Sequence, residues 1–252
     1  MTASTTVRPA SRIAVLDRET ALRLAATEYD RFGSLLRTLG PGDWSRATDC
    51  PGWDVRAMAG HALGMAQMAA SLRSAVVQNA AAARAGGGID ALTAVQVRHA
   101  ARLSTAEVIE RFTAIAPRAV RGRRRLAGAI GRLPLPDEQI VGGRTERWTF
   151  GFLFDVVLTR DTWMHRIDIS RAVGREPELT PEHDGVLVAD VVGEWAARHG
   201  QPYRLRLTGP AGGDWRSGER PVEELELGAV EFCRLLSGRG RGDGLLSTAV
   251  PF

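Results

Sequence analysis

The hydrophobic period of this chain changes once, and no other feature constrains its fold as much. Up to about Pro177 apolar residues recur three and four apart, whereas beyond Gln201-Pro202 they alternate. The first pattern belongs to helices that bury one face, the second to half-buried strands. The first helical segment runs from Asp17 to Leu39, with Leu22, Ala25, Tyr29, Phe32 and Leu36 on one stripe, and Gly40-Pro41-Gly42 ends it. A loop carrying Trp44 and Trp53 leads to Asp54, whose carboxylate is placed to cap the next helix. That helix is predicted from Val55 past Leu72 to about Ala83, with Met58, His61, Met65, Met68 and Leu72 facing inward. After Gly86-Gly87-Gly88 a third region spans Leu92 to Ile130. It breaks near Leu103-Ser104, where Ser104 and Glu107 have capping-box spacing. Gly142-Gly143 opens a loop through Trp148, and a fourth helix continues to Gly174.

One more helix is expected from Pro181 to His199. YRLRLTG then reads as a strand with Tyr203, Leu205 and Leu207 on one face. VEELELG reads as a second strand, AVEFCRLLSG as a short helix and LLSTAVPF as a terminal strand. The fold class is therefore α+β: a helix bundle over residues 1–175, followed by a small α+β module over 176–252. Residues 1 to about 15 are expected to be a frayed tail.

Composition excludes several functions. All of the 33 basic residues are arginine, and a net charge of +4 spread along the chain is a poor match to a nucleic-acid binder. The run Arg121-Gly122-Arg123-Arg124-Arg125 reads as a solvated helix face. Two distant cysteines, Cys50 and Cys233, form no metal or redox spacing, so a reducing cytoplasm is the expected location. The N-terminal stretch lacks the apolar core of a signal peptide, and no run of apolar residues is long enough for a membrane span.

The chemistry concentrates at Asp161 and His165. Four residues apart, they share the helix face that carries Phe154, Leu158, Ile169 and Ala172, so both point inward. His61 lies on the buried stripe of the second segment. A core histidine and a local Asp–His hydrogen bond would explain these residues one by one. Burying Asp161 without compensation, however, would cost several kcal/mol, roughly 3 to 5. His61, Asp161 and His165 are the expected ligands of one divalent metal held between helices. Two imidazoles and a carboxylate suit zinc with an open fourth position, and also Fe(II), Ni(II) or Mn(II). Other candidates are weaker. Cys50 before Pro51 has no evident histidine partner, and His99, His183 and His199 have no acid at ligand spacing. Gly238, Gly240, Gly242 and Gly244 match no phosphate-binding loop. Trp53 and Trp163 read as core.

These strings resemble the mycothiol-dependent maleylpyruvate isomerase-like family of the DinB-like superfamily. The resemblance rests on Trp44, on CPGWDVRAMAGHALG around His61 and on RDTWMHRIDISRAVG around His165. It continues through RLTGPAGGDWRSG, FCRLLSGRG and the ending TAVPF. It implies an antiparallel four-helix bundle with a sterol-carrier-like C-terminal module. It also implies a metal, usually zinc, on His61, Asp161 and His165. The isomerase itself has glutamate where Asp161 stands, which puts maleylpyruvate as the substrate in question.

What the resemblance implies is thiol chemistry. Mycothiol would serve as cosubstrate to an S-transferase or a cis-trans isomerase acting on an electrophilic small molecule, transfer being preferred because of the aspartate. Arg239 is the expected partner of a substrate carboxylate, with Arg166 and Arg147 as alternatives. A non-enzymatic small-molecule or metal-binding protein and a metal-dependent hydrolase are the rival functions. No nucleic-acid or membrane partner is expected, and the assembly is expected to be a monomer or homodimer.

Overall fold

A computed structural model describes residues 11–12 and 16–252. Most of the expected tail lies outside the described residues; its Ser11–Arg12 (β1) forms a short strand.

Local capping sets the helix boundaries. Helix α1 (Arg18–Thr38) begins where Asp17 accepts from the Thr20 N–H at 2.9 Å, and α2 (Val55–Ala70) where Asp54 accepts from the Ala57 N–H at 2.8 Å. The second segment is shorter than its periodicity suggests. Ser71 is extended: its N–H closes α2 on the Met68 carbonyl, and its hydroxyl accepts from the Ser74 N–H to start α3 (Leu72–Arg84). This break turns Leu72 outward, leaving it 71% exposed rather than on the inner stripe. Helix α4 (Gly88–Ala100) starts earlier than expected. The predicted break before α5 (Thr105–Ile130) is present, with both halves of the Ser104/Glu107 capping box formed.

The stretch expected to be a loop at Gly142-Gly143 is a hairpin of β2 (Gln139–Val141) and β3 (Arg144–Trp148). Both glycines have positive φ, 55° and 76°, as a two-residue primed turn requires. Strand β1 pairs in parallel with β3. A short α6 (Phe150–Phe152) then passes through a π turn (Leu153–Val157) into α7 (Leu158–Ala172). The π turn is held from inside the bundle. Arg123 is buried and donates from Nε to the Phe154 carbonyl at 2.7 Å and from Nη2 to Thr159 Oγ1 at 2.5 Å. The arginine run is therefore not a wholly solvated face.

Helices α1, α2, α5 and α7 form the bundle, with α1 and α2 each packing on α5 and α7. Phe32, Met58, Phe112, Leu158 and Ile169 lie in its core. At Gly122 the α5 backbone approaches α2 so closely that a Cβ would strike the Ala69 carbonyl. The α3–α4 hairpin packs against α2.

Past a second π turn (Pro181–Gly185) come α8 (Val186–His199), β4 (Tyr203–Thr208), β5 (Gly213–Ser217), β6 (Glu223–Gly228) and α9 (Ala229–Leu236). The sheet order is β5-β4-β6, with β4 antiparallel to β5 and parallel to β6. Tyr203, Leu205 and Leu207 are buried as the alternation predicts. Their core, with Trp195 and Phe232, also contains Leu24, Trp163, Met164 and Ile167, so α1 and α7 complete it. The expected terminal strand is absent. Gly244–Ser247 is a 3₁₀ turn, and the tail is tied down by single bonds: the Val250 N–H to the Leu236 carbonyl at 3.0 Å, and Arg160 Nη1 to the Pro251 carbonyl at 3.2 Å. Pro251 has no N–H to offer a ladder. No described helix is long and apolar enough to cross a membrane.

Candidate metal centre

Helix α2 presents His61, and α7 presents Asp161 and His165 one turn apart, so the packing of α2 on α7 brings all three together. His61 Nε2 lies 3.6 Å and His165 Nε2 3.2 Å from the same atom, Asp161 Oδ1. The imidazole centroids are 5.4 Å apart with planes at 85°. Both histidines are 5% exposed, which leaves little solvent to satisfy them. Asp161 Oδ2 is buried without a hydrogen-bond partner. A buried carboxylate oxygen with nothing to accept from is costly. The ligand atoms of this trio lie within 4.8 Å of one another, so the set fits a divalent cation.

Each imidazole is fixed from behind. His61 Nδ1 is 2.8 Å from Gln96 Oε1, and Gln96 Nε2 donates to Gln78 Oε1 at 2.9 Å. His165 Nδ1 is 3.4 Å from Asp168 Oδ2. With Nδ1 engaged, Nε2 of each ring is directed at the shared carboxylate, the arrangement by which outer hydrogen bonds orient ligand imidazoles. Trp53 walls one side, its ring 5.2 Å from that of His61 and 5.8 Å from that of His165. Sequence reasoning assigned Trp53 to the core and left Gln96 and Asp168 without a role. Gln96 had a signal: Leu92, Gln96 and Ala100 form a buried stripe with one polar member.

Arg239, three residues beyond α9, reaches into the site. Its Nε lies 2.9 and 2.8 Å from the two Asp168 oxygens, and its Nη2 lies 3.5 Å from both His165 Nδ1 and Cys50 Sγ. The alternative Arg166 is committed elsewhere. It donates to Glu28 at 2.6 Å and to Asp184 at 2.8 Å in a buried network that also holds Arg31, Trp163 and His183. Glu28, His183 and Asp184 are close enough to share a cation, but the Arg166 guanidinium already sits among them. Thus His183 does have an acid partner, Glu28, which is distant in sequence. Arg147 lies in β3, which pairs with β1 and β2.

The electrostatics follow from burial and pairing. Burial disfavours charge on His165, but Asp161 outweighs it and the imidazole is pushed up to about 9. Burial likewise opposes ionisation of Asp161, yet His165 and His61 hold its carboxyl far below the usual range. Asp168 is also lowered, because hydrogen bonds from His165 and Arg239 outweigh its burial. Burial pushes the Cys50 thiol up to about 11 although Arg239 works against it, so Cys50 is no thiolate near neutrality.

Residues 25–170 match the family model described as the mycothiol maleylpyruvate isomerase N-terminal domain. The chain belongs to this family. Two solved structures share this fold at low identity. The crystal structure of the mycothiol-dependent maleylpyruvate isomerase is 17% identical with a TM-score of 0.56, over 91% of this chain and 92% of that one. A histidine-to-alanine mutant of that isomerase is 16% identical with a TM-score of 0.52, over 89% and 90%. Among proteins of curated function, none matches the chain in sequence.

Proposed function

We propose that this protein is a metal-dependent enzyme that uses a low-molecular-weight thiol, mycothiol, on an electrophilic small molecule, as an S-transferase or a cis-trans isomerase. The observation that carries it is the pair of Nε2 atoms from two facing helices on one oxygen of a partly buried carboxylate, whose other oxygen is buried without a partner. His61, Asp161 and His165 would hold the metal, for which zinc is the first choice. Bound there, it would supply the charge that converts a thiol of ordinary pKa, about 8.5, to the thiolate.

The chain's own residues do the rest. Gln96 and Asp168 hold the two imidazoles in the orientation that directs Nε2 at Asp161. Trp53 covers both rings and keeps water from that side. Arg239, gripped along one edge by Asp168, places a guanidinium beside His165, where it would pair with a substrate carboxylate. Thiolate addition to an activated double bond, rotation about the resulting single bond and elimination amount to isomerisation. Addition followed by protonation of the resulting carbanion, without elimination, amounts to transfer. Transfer is preferred, since Asp161 is one methylene shorter than the glutamate of the isomerase.

The deciding experiment is metal content by mass spectrometry on protein purified without chelator or affinity nickel, paired with a thiol-conjugation assay. About one equivalent of divalent metal is expected in the parent protein, lost in His61→Ala and His165→Ala together with thiol-dependent turnover. Full metal retention in both variants, or no uptake on titration by a folded parent protein, would sink the proposal.

A further inference from the structure

On the far side of His61 from Asp161, helices α2, α3 and α4 enclose a cavity of about 520 Å³. That volume is within the range of small-molecule sites. It exists because α3 turns small side chains inward: Ser74 and Ala81 line it, and Ala82 is the one buried residue of that helix. Leu63, Val77, Ala81 and Val95 give it apolar walls, and Gln78 and Gln96 give it polar ones. The same Gln96 holds His61 Nδ1, so cavity and triad share a wall.

The charge around it is mostly positive. Residues 55–100, which form its walls, contain Arg56, Arg73, Arg84 and Arg98 against Asp90 as the sole acid. Arg73 and His99, both exposed, line the cavity itself. Beside them α3 shows water an apolar strip, with Leu72, Val76 and Val77 at 71%, 60% and 59% exposure. An apolar interior with arginine at the opening complements a ligand that has an apolar body and a single negative charge.

We propose that this cavity is a binding site for a small apolar carboxylate, an aryl or medium-chain acid, distinct from the metal triad and touching it only through Gln96. The apolar body lies between α2, α3 and α4, and the carboxylate stays at the mouth beside Arg73. The assignment stands independently of whether the triad holds a metal.

The test is calorimetric titration of the full chain, stripped with EDTA, with 2-naphthoate as probe and 2-naphthalenemethanol as its uncharged counterpart. Saturable binding at one site is expected, at least fivefold tighter for the acid. Ala81→Phe, which fills the cavity, abolishes it. Val77→Glu, a change at an exposed position that leaves the core alone, weakens it at least fivefold, while Val77→Arg retains it. His165→Ala, which leaves His61 and Gln96 in place, binds as the parent does. Should Ala81→Phe fail to fold, the Val77 pair decides. The proposal is overturned by absence of saturable binding, by equal affinity for the alcohol, by Val77→Glu binding as tightly as the parent, or by loss of binding in His165→Ala, which would put the probe at the triad.

Discussion

Arg239 grips both carboxylate oxygens of Asp168 from 71 positions away, Nε lying at 2.9 and 2.8 Å, and so ties the segment after α9 to the helix that carries two of the candidate ligands. Asp168 is fully buried, and truncating its cationic partner would leave an uncompensated charge. Arg239→Ala should lose about 3 to 5 kcal/mol in urea unfolding. Arg239→Lys should recover most of that stability without recovering turnover, because a point charge cannot reproduce the fork. Equal turnover in Arg239→Lys and parent would remove Arg239 from the site.

Gln96 offers a cleaner separation of ligand from support. Gln96→Leu leaves all three candidate ligands in place but frees the His61 ring. Metal affinity should fall roughly 10- to 100-fold in competition with a chromogenic chelator, with stoichiometry unchanged. Unchanged affinity would mean that packing alone orients His61.

Asp184 contributes to the pH dependence of stability at acid pH. Its oxygens accept from Trp163, Arg166, Arg31 and the Thr180 N–H; Glu28 and Glu178 accept from the same arginines, and His183 pairs with Glu28. Burial opposes its ionisation, but Arg166 leads the groups that outweigh it, so the folded pKa lies below the ordinary 3.8. The stabilisation is therefore present above about pH 4 and is lost as pH falls through the folded value. Asp184→Asn should be destabilised by roughly 3 to 5 kcal/mol at pH 7. The gap from the parent should narrow below pH 4 in denaturant titrations; a constant gap would count against this account.

Gly122 marks where α5 and α2 approach most closely, since its Cβ would meet the Ala69 carbonyl. Gly122→Ala should raise helix propensity yet cost about 1 to 3 kcal/mol from overpacking. A rise in Tm would show that the two helices can part without cost.

Much of the bundle could be read from the chain because its signals are local. Asp54 and Ser104 cap the helices they were expected to cap, and the stripe through Met58 and His61 is buried. The proximity of His61 to the Asp161/His165 pair followed from two inward faces having to meet. Ser71 escaped although its partners are local, because the apolar stripe continues through the single extended residue that ends one helix and starts another. Other features depend on partners that no short window contains. Arg123 finds its buried partners, the Phe154 carbonyl and the Thr159 hydroxyl, more than thirty positions away. His183 meets Glu28 across 155 positions. The terminal strand failed for a local reason: Gly244–Ser247 turns instead of extending, and Pro251 has no N–H for a ladder.

The π turn at Leu153–Val157 lies just ahead of Asp161 and His165. A π turn holds one more residue than an α turn, and each residue in a helix advances the face by about 100°. The extra residue therefore acts as a phase shift. It lets Phe152 pack against Trp148 at the start of the helix while Asp161 and His165 still face α2 three turns later. Chain length in this stretch sets the aim of the site. Removing one residue from Leu153–Val157 should swing the pair off His61 with every side chain of the trio intact, whereas the same deletion among Gly86, Gly87 and Gly88 should leave their geometry alone.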